Sequence, residues 1–374
     1  MKVTIVMPTY NEAENIVRMI PALAEVFASA PQHTFTLLVV DANSPDGTAD
    51  KVKELSVQYP FAQVLLENEK NGLGAAYVFA FKHVLNNLPS DAVIEMDADF
   101  QHNPADVLKL VQKMEEGYDY VIGSRFIDGG TIPEDWQLYR RLISKGGNIF
   151  SSIVLGIRGV HDYTSGFKLT KVDGVLNKMD LDNVMSKGFA YKIDLLYKAK
   201  KTGAKIGEVP IAFGLRDRGD SKMEKNNFMD SLKVVIMLRV NEKPSFFKFL
   251  IVGFAGLGTD VILFNVVRLF TKSGYASAVA GLFAMMVTYT LNNFWSFKHQ
   301  KKQSKWLFVR DFPLYALSSY IPIVFRSILV GWAEETFGKT FLVDNIAFLI
   351  GISFGLIWNY TVYSRIIWRK KKED

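Results

Sequence analysis

The chain has 374 residues, of which 49% are hydrophobic and 28 are phenylalanine, a length and composition that predict a soluble part joined to a membrane part. The sequence has no cysteine, which excludes disulfide frameworks, thiolate zinc sites and thiol nucleophiles. The net charge of +6, from 44 basic and 38 acidic residues, suits nucleic acid, anionic lipid or a phosphorylated substrate.

The first predicted elements are short strands that alternate with amphipathic helices. Five runs rich in Val, Ile and Leu have the character of strands covered on both faces: 2–7, 35–40, 62–66, 92–96 and 119–123. The stretches between them have the apolar periodicity of amphipathic helices: 12–27, 47–58, 73–85 and 104–116. This alternation predicts a parallel, doubly wound α/β sheet in a domain that covers residues 1–225.

Polar residues follow four of these strands at the point where each strand ends. The segments are PTYNE at 8–12, DANS at 41–44, DAD at 97–99 and GSR at 123–125. In open α/β sheets, ligands bind beyond the carboxyl ends of the strands. We therefore expect these segments to form one shared site.

The last third of the chain predicts an all-α transmembrane domain of four helices, residues 246–374. Each of four apolar stretches could cross a hydrocarbon core of roughly 30 Å: about 246–270, 275–295, 312–333 and 341–366. Basic residues concentrate at 298–305 and 369–372. The positive-inside rule therefore predicts a multi-pass cell-membrane protein whose α/β domain, N-terminus and C-terminus are cytoplasmic.

Two shorter segments bear on this topology. The run before Pro8 is too short for the core of a signal peptide, so we expect the first domain to stay in the cytoplasm. Residues 226–245 resemble an amphipathic helix that lies on the inner leaflet before the first span, with a plain solvent-facing linker helix as the alternative. The positive charge follows membrane edges and loops, which disfavours nucleic acid as a partner.

Asp97 and Asp99 form the carboxylate pair with the clearest chemical meaning. Residues i and i+2 of a strand share a face, so both carboxylates project to one side. Oxygen ligands of this kind suit Mg²⁺ or Mn²⁺. The alternative is that Asp99 or Asn103 only caps a helix that starts at Pro104. The pair alone does not decide between them.

Seven motifs in order give the chain a resemblance to glycosyltransferase family 2, of the dolichol-phosphate mannose synthase type. They are PTYNE (8–12), DANSPDGT (41–48), MDADFQH (96–102), GSRF (123–126), YRRLISKG (139–146), DYTSGF (162–167) and RDRGDSK (216–222). The membrane part resembles the GtrA-like family through NNFWSF (292–297) and NYTVY (359–363), which also look like an internal repeat. The resemblance implies a GT-A fold that binds a nucleotide-sugar.

The resemblance also assigns roles to the carboxylates and their neighbours. Pro8, Tyr10, Glu12 and Asp41 match the family's nucleoside pocket, and Asp97 is also expected to contact the nucleotide-sugar. Asp97, Asp99 and Gln101 match its metal-binding motif, which implies Mg²⁺ or Mn²⁺ as cofactor. Asp99 is in addition an expected catalytic residue.

Further roles fall on cations and on a serine in the later loops. Arg216 and Lys222 are expected to bind the nucleotide-sugar, while Arg125 and Arg140 are expected to be catalytic and to bind the lipid phosphate with Ser165. These cations would allow two anionic substrates to approach each other. A phosphate acceptor is mostly a dianion at neutral pH, so no general base is required.

The resemblance therefore implies inverting transfer of a hexose to a polyprenyl monophosphate at the cytoplasmic face of a membrane. Mannose is the favoured sugar and GDP-mannose the favoured donor, because YRRLISKG and RDRGDSK most resemble the motifs of mannose synthases. Glucose or another hexose from a UDP-sugar is the first alternative. A lipid-linked-sugar flippase or scaffold, whose α/β domain only binds, is an alternative of a different class.

Overall fold

A computed structural model describes residues 1–133, 136, 138–214, 227–271, 273–300, 304–338 and 340–369. The chain divides into two compact units, Met1–Arg239 and Val240–Asp374. The division falls inside 226–245, the stretch in which the sequence predicts an amphipathic interface helix or linker.

Within the described part of the first unit, seven strands form one sheet in the order β3-β2-β1-β4-β6-β5-β7. They are β1 (Lys2–Thr9), β2 (Thr34–Asp41), β3 (Ala62–Leu66), β4 (Ala92–Glu95), β5 (Tyr120–Ser124), β6 (Lys168–Lys171) and β7 (Ile206–Pro210). All five predicted runs are strands. The sheet is mixed rather than parallel, however, because the unpredicted β6 runs antiparallel to β4 and β5.

The first unit also contains seven α-helices in its described part. They are α1 (Ala13–Ala28), α2 (Thr48–Ser56), α3 (Leu73–Asn87), α4 (Asp106–Glu115), α5 (Leu138–Leu155), α6 (Tyr191–Lys201) and α7 (Asn227–Glu242). In α1, for example, Ile16, Met19, Ile20 and Leu23 are fully buried. Their spacing of three and four residues places them on a single face.

Both faces of the sheet are covered by apolar cores, as the continuous apolar character of the strands predicts. Alternate residues of β1 belong to different cores: Val6 lies in one, and Ile5 and Met7 lie in the other. The first core also includes Val234, Val235 and Leu238 of α7. One side of α7 therefore packs on the α/β unit.

Among the described residues of the second unit, three helical stretches are long and apolar enough to cross a membrane. They are Pro244–Val267, which is α8, Trp306–Phe337 within α10 (Lys305–Phe337), and Phe341–Ile367, which starts with α11 (Phe341–Val362). The predicted span 275–295 forms another helix, α9 (Ser273–Leu291), which is not among the three. Four spans therefore stay a prediction.

The predicted internal repeat corresponds to two similar helix endings. A π-helix follows α9 at Asn292–Ser296, and another follows α11 at Tyr363–Ile367. Trp368, directly after the second ending, donates its indole N–H to Oδ1 of Asn293 in the first, at 2.9 Å. The two endings are thus joined by a buried hydrogen bond among packed aromatic rings.

Candidate active site

A cleft of about 640 Å³ opens at the carboxyl ends of β1 to β4. The chain adds β2 and β3 on one side of β1 and β4 on the other, so the strand order reverses here, where α/β sheets bind ligands. The cleft is lined by five residues with predicted roles: Pro8, Tyr10, Glu12, Asp97 and Asp99. The structure therefore brings three of the four predicted nucleoside residues and the carboxylate pair together.

The loops that form this edge of the sheet have an unusual backbone. Asn11, Asn43 and Phe100 have φ values of 57°, 52° and 61°, and they follow β1, β2 and β4. Residues other than glycine rarely adopt this left-handed conformation, and it concentrates at functional sites. Among the described residues, these are the non-glycine positions with positive φ.

The carboxylate pair is held by hydrogen bonds within its own loop. Asp97 is partly exposed at the cleft, whereas Asp99 is buried. Oδ1 of Asp99 accepts the backbone N–H of Gln101 at 3.1 Å. The side-chain amide of Gln101 donates to the carbonyl of Gly214 at 3.3 Å, so the loop is tied to a distant part of the chain.

Neither carboxylate caps the helix that follows, whose N-cap is Ala105 without a side-chain cap, and Asn103 bonds only the turn before it. Oδ1 of Asn103 accepts the backbone N–H of Ala105 at 3.0 Å, and its carbonyl accepts the N–H of Asp106 at 3.0 Å. The helix that follows begins at Asp106, two residues later than predicted. Asn103 thus shapes the turn before α4, while Asp97 and Asp99 remain at the cleft.

His102 lies fully buried behind the pair. Its Nδ1 accepts the backbone N–H of Asp97 at 3.2 Å, and its ring stacks on Phe167 with the ring centroids 5.0 Å apart. Burial lowers the pKa of His102 to about 3, against the opposing effect of Asp99. The imidazole is therefore neutral near neutral pH, and it fixes the loop without adding positive charge.

The donor set at the pair fits Mg²⁺ or Mn²⁺. Two carboxylates share one loop, and Gln101 adds an amide oxygen, so all three available ligands are oxygens. These cations usually complete such a set with substrate phosphates and water. Within the described ranges, no cluster of three or more His, Asp or Glu residues offers an all-protein cage.

Asp41 is not brought to the cleft, although its neighbours Val40 and Ala42 line it. The side chain is fully buried and accepts the hydroxyl of Thr9 at 2.9 Å. It also accepts both the backbone N–H and the hydroxyl of Ser44, at 2.8 and 2.6 Å. In this structure its oxygens join the ends of β1 and β2, so Asp41 supports the predicted nucleoside pocket from behind.

Arg125 is also placed differently from its predicted catalytic and phosphate-binding role. Its guanidinium makes a two-pronged contact with Asp162, with Nε 2.7 Å from Oδ2 and one terminal nitrogen 2.8 Å from Oδ1. The same terminal nitrogen donates to the Thr164 hydroxyl at 2.8 Å. Burial alone would raise the pKa of Asp162, but the Arg125 charge and hydrogen bonds hold it below its usual value. The pair is a buried structural ion pair.

Ser165, predicted to bind the lipid phosphate, is buried as well. Its hydroxyl donates to the carbonyl of Gly123 at 2.6 Å and accepts the backbone N–H of Phe167 at 3.2 Å. These bonds fasten the DYTSGF segment to the end of β5. Of the other predicted cations, the Arg140 side chain, Arg216 and Lys222 lie outside the described residues.

Lys192 is a candidate site residue that the sequence analysis did not identify. It belongs to α6 and is only 7% exposed. A Cβ added to Gly166 would lie 2.5 Å from its Nζ and 3.4 Å from Oδ2 of Asp97, so the ammonium lies close to the carboxylate pair. Gly166 leaves the space that this ammonium occupies. A helical lysine among apolar neighbours gave no sequence signal of this position.

Two cleft residues in the loop after β3 were also missed by the sequence analysis. Glu67 and Lys70 line the cleft, and Nζ of Lys70 lies 3.8 Å from the centroid of the Tyr10 ring. Their segment, ENEK at 67–70, has the composition of an ordinary polar loop. The neighbouring strand ends alone could have indicated that this loop shares the site.

Comparison with known proteins identifies the family. The family model described as "Glycosyl transferase family 2" matches residues 4–175, and "GtrA/DPMS, transmembrane domain" matches residues 248–368. Dolichol-phosphate mannosyltransferase from Pyrococcus furiosus is 31% identical in an alignment of 376 positions that covers 98% of this chain and 99% of that protein. This chain belongs to glycosyl transferase family 2.

A second relative of this family-2 chain matches part of its length. Polyprenol monophosphomannose synthase from Mycolicibacterium smegmatis is 38% identical over 229 residues, covering 61% of this chain and 83% of its own. The resemblance stated from the motifs is therefore confirmed, and the chain is a glycosyltransferase with a GtrA-type membrane domain.

Solved structures that resemble this family-2 glycosyltransferase are more distant. A mannosyltransferase from Pyrobaculum calidifontis, in complex with GDP-Man and Mn²⁺, is 13% identical, covers 99% of this chain and 88% of its own, and has a TM-score of 0.40. Glucosyl-3-phosphoglycerate synthase from Mycobacterium tuberculosis is 17% identical, covers 64% and 79%, and has a TM-score of 0.47. Neither similarity is close enough to assign ligands to this chain.

Proposed function

We propose that this glycosyltransferase transfers mannose from GDP-mannose to the phosphate of a polyprenyl monophosphate at a membrane surface. The observation that carries the proposal is the Asp97 and Asp99 pair at one end of a cleft of about 640 Å³, a size that suits a nucleotide-sugar. The relative that matches the whole chain is named a dolichol-phosphate mannosyltransferase, which supports mannose and a polyprenyl acceptor.

The donor would lie along the cleft with its diphosphate beside the carboxylate pair. Tyr10 and Pro8 would pack against the nucleoside, and Glu12 would accept hydrogen bonds from it. Asp97, Asp99 and Gln101 would hold a divalent cation such as Mg²⁺ or Mn²⁺, which neutralises the departing diphosphate as a Lewis acid. Asp99 then has its catalytic role through that cation.

The cations needed by two phosphate-bearing substrates would come from both sides of the pair. Lys192 is a described candidate for this role, because its Nζ lies beside Gly166 near Asp97. Arg140, Arg216 and Lys222 stay in the proposal on the strength of the motif resemblance. Arg125 would contribute indirectly, since its ion pair with Asp162 fixes the loop after β5.

The reaction itself requires little from the protein besides positioning and charge neutralisation. An oxygen of the acceptor phosphate would attack the anomeric carbon and form the new C–O bond. The bond from that carbon to the β-phosphate oxygen of GDP would break, and GDP would leave from the opposite face with inversion. The acceptor is mostly a dianion at neutral pH, so no side chain has to remove a proton.

The acceptor's hydrocarbon tail would remain in the bilayer, and two helices of the first unit are suited to that surface. Leu142 and Ile153 of α5 are 62% and 75% exposed, and Met229 of α7 is 63% exposed. A Cβ added to Gly147 of α5 would lie 3.7 Å from the Phe228 ring of α7, so the helices are neighbours. We propose that both helices contact lipid on the cytoplasmic side of a four-span membrane domain, with the basic segments facing the cytoplasm.

The test is transfer of a labelled sugar into lipid. Membranes that contain the full chain are incubated with a polyprenyl phosphate, Mg²⁺ or Mn²⁺, and either GDP-[¹⁴C]mannose or UDP-[¹⁴C]glucose. The proposal expects label in the organic phase from GDP-mannose. Label from UDP-glucose alone would establish the alternative donor, a UDP-sugar. No label from either donor would contradict the proposed transfer of a sugar to polyprenyl phosphate.

A binding-only scaffold is separated from an enzyme by Asp97→Asn. The enzyme loses transfer in this variant, because the carboxylate at the diphosphate end of the cleft is removed. A scaffold that only binds or moves lipid-linked sugar would show no transfer in either protein.

A further inference from the structure

Glu67, the residue directly after β3, is a nearly buried carboxylate to which no role has been given. It is 8% exposed and lines the cleft. No hydrogen-bond donor reaches its carboxylate from the described parts of the chain. Burial, together with the negative charge of Asp41, raises the pKa of Glu67. A buried carboxylate without a hydrogen-bond donor is stabilised by any ligand that brings N–H donors.

The position of Glu67 relative to Asp97 matches the length of a nucleotide. β3 and β4 are separated by β2 and β1 in the sheet, which makes three strand-to-strand steps, or roughly 14 Å. If the diphosphate lies at the end of β4, the ribose lies near Tyr10 after β1. The base then reaches the end of β3, where Glu67 is placed.

The nucleobases present different edges to a carboxylate. Guanine carries two adjacent donors, N1–H and the exocyclic N2 amine, whose spacing fits the two carboxylate oxygens. Uracil has a single N3–H between two carbonyl oxygens, which a carboxylate repels. Adenine and cytosine each place an acceptor next to their amino group. Guanine is thus the base that a lone carboxylate selects.

We infer that Glu67 is the specificity-determining residue for the base, accepting the N1–H and the N2 amine of guanine. The inference rests on the proposed function, because it takes the donor diphosphate to lie at Asp97 and Asp99. It adds to that proposal a physical reason for GDP-mannose over a UDP-sugar.

The test removes the N2 amine from the ligand and the carboxylate charge from Glu67, separately and together. Binding of GDP, inosine diphosphate and UDP to the full chain in detergent micelles is measured by titration calorimetry, for the wild type and for Glu67→Gln. Inosine diphosphate keeps N1–H and O6 of guanine but lacks the amine. Glu69→Gln is the matched control, since it removes the same charge from an exposed position two residues away.

In the wild type, GDP is expected to bind about ten-fold or more tightly than inosine diphosphate, the effect of one hydrogen bond to a charged group. In Glu67→Gln the two affinities become similar, while UDP binding is unchanged or slightly tighter. Glu69→Gln keeps the wild-type ratio. The coupling between the amine and the carboxylate isolates their contact from changes in folding or net charge.

An equal ratio of GDP to inosine diphosphate affinity in the wild type and in Glu67→Gln overturns the inference. The transfer assay separates this failure from that of the proposed function. If the wild type still transfers mannose from GDP-mannose while the ratio is unaffected, the function stands and Glu67 is not the base reader. If the wild type binds UDP more tightly than GDP, both the donor and the inference are wrong.

Discussion

The ends of β4 and β5 both carry charged side chains, two carboxylates in DAD (97–99) and one arginine in GSR (123–125), yet the fold uses them differently. After β4, Asp97 keeps its carboxylate at the cleft and Asp99 is held by its own loop. After β5, the guanidinium of Arg125 is taken up by Asp162 from another part of the chain. The charge after β4 therefore remains at the cleft, whereas the charge after β5 is neutralised inside the fold.

The largest expected effect breaks the β5 side of this comparison. Arg125→Met leaves the Asp162 carboxylate buried without its cation, which costs about 3–5 kcal/mol of folding free energy. In a unit of this size, the thermal midpoint should fall by on the order of 10 °C. Differential scanning fluorimetry of the full chain in detergent measures the shift. An unchanged midpoint with lost mannosyl transfer would instead return Arg125 to catalysis.

The next effect breaks the β4 side. Asp97→Asn keeps the shape of the side chain but removes charge where the diphosphate is proposed to lie, so transfer should fall about 10²- to 10³-fold. The thermal midpoint should change little, because Asp97 is partly exposed. Asp128→Asn, on an exposed loop residue, is the control and should keep wild-type transfer. Equal transfer by both variants would remove Asp97 from the site.

The strands of the sheet differ in how well the sequence predicts them. β1 to β5 were found because their apolar runs are local signals. β6 was missed because Lys168–Lys171 is four residues long and has lysine at both ends. Its Lys168 is fully buried, paired across the sheet with Glu95. Such a position depends on a partner that is distant in sequence.

The same contrast between local signals and distant partners holds for the residues of the site. Pro8, Tyr10, Glu12, Asp97 and Asp99 lie in loops directly after predicted strands, so their meeting follows from the topology of the sheet. Lys192 and Arg125 depend instead on tertiary contacts. The Arg125 partner lies 37 residues further along the chain, beyond the reach of any local pattern.

A smaller effect sharpens the comparison by testing Lys192, whose ammonium lies near the carboxylate pair. Lys192→Met removes the ammonium near Asp97 while keeping its apolar stem, and transfer should fall about ten-fold. The loss should appear with GDP-mannose as weaker donor binding or a lower kcat. Lys200→Met, on an exposed residue of the same helix, should behave as the wild type. Matching rates for the two variants would make Lys192 a structural residue only.

The smallest effect concerns the acid stability of the ion pair itself. Arg125 holds the pKa of Asp162 below the ordinary value of 3.8, although burial acts in the opposite direction. A lowered folded-state pKa means that the stabilisation is complete above the ordinary pKa and is lost as pH falls through the folded value. Asp162→Asn should therefore lower the thermal midpoint at pH 7 and flatten its decline below about pH 4. Parallel midpoint curves for the variant and the wild type would show that the carboxylate contributes nothing through Arg125, and the contrast between the two strand ends would then rest on packing alone.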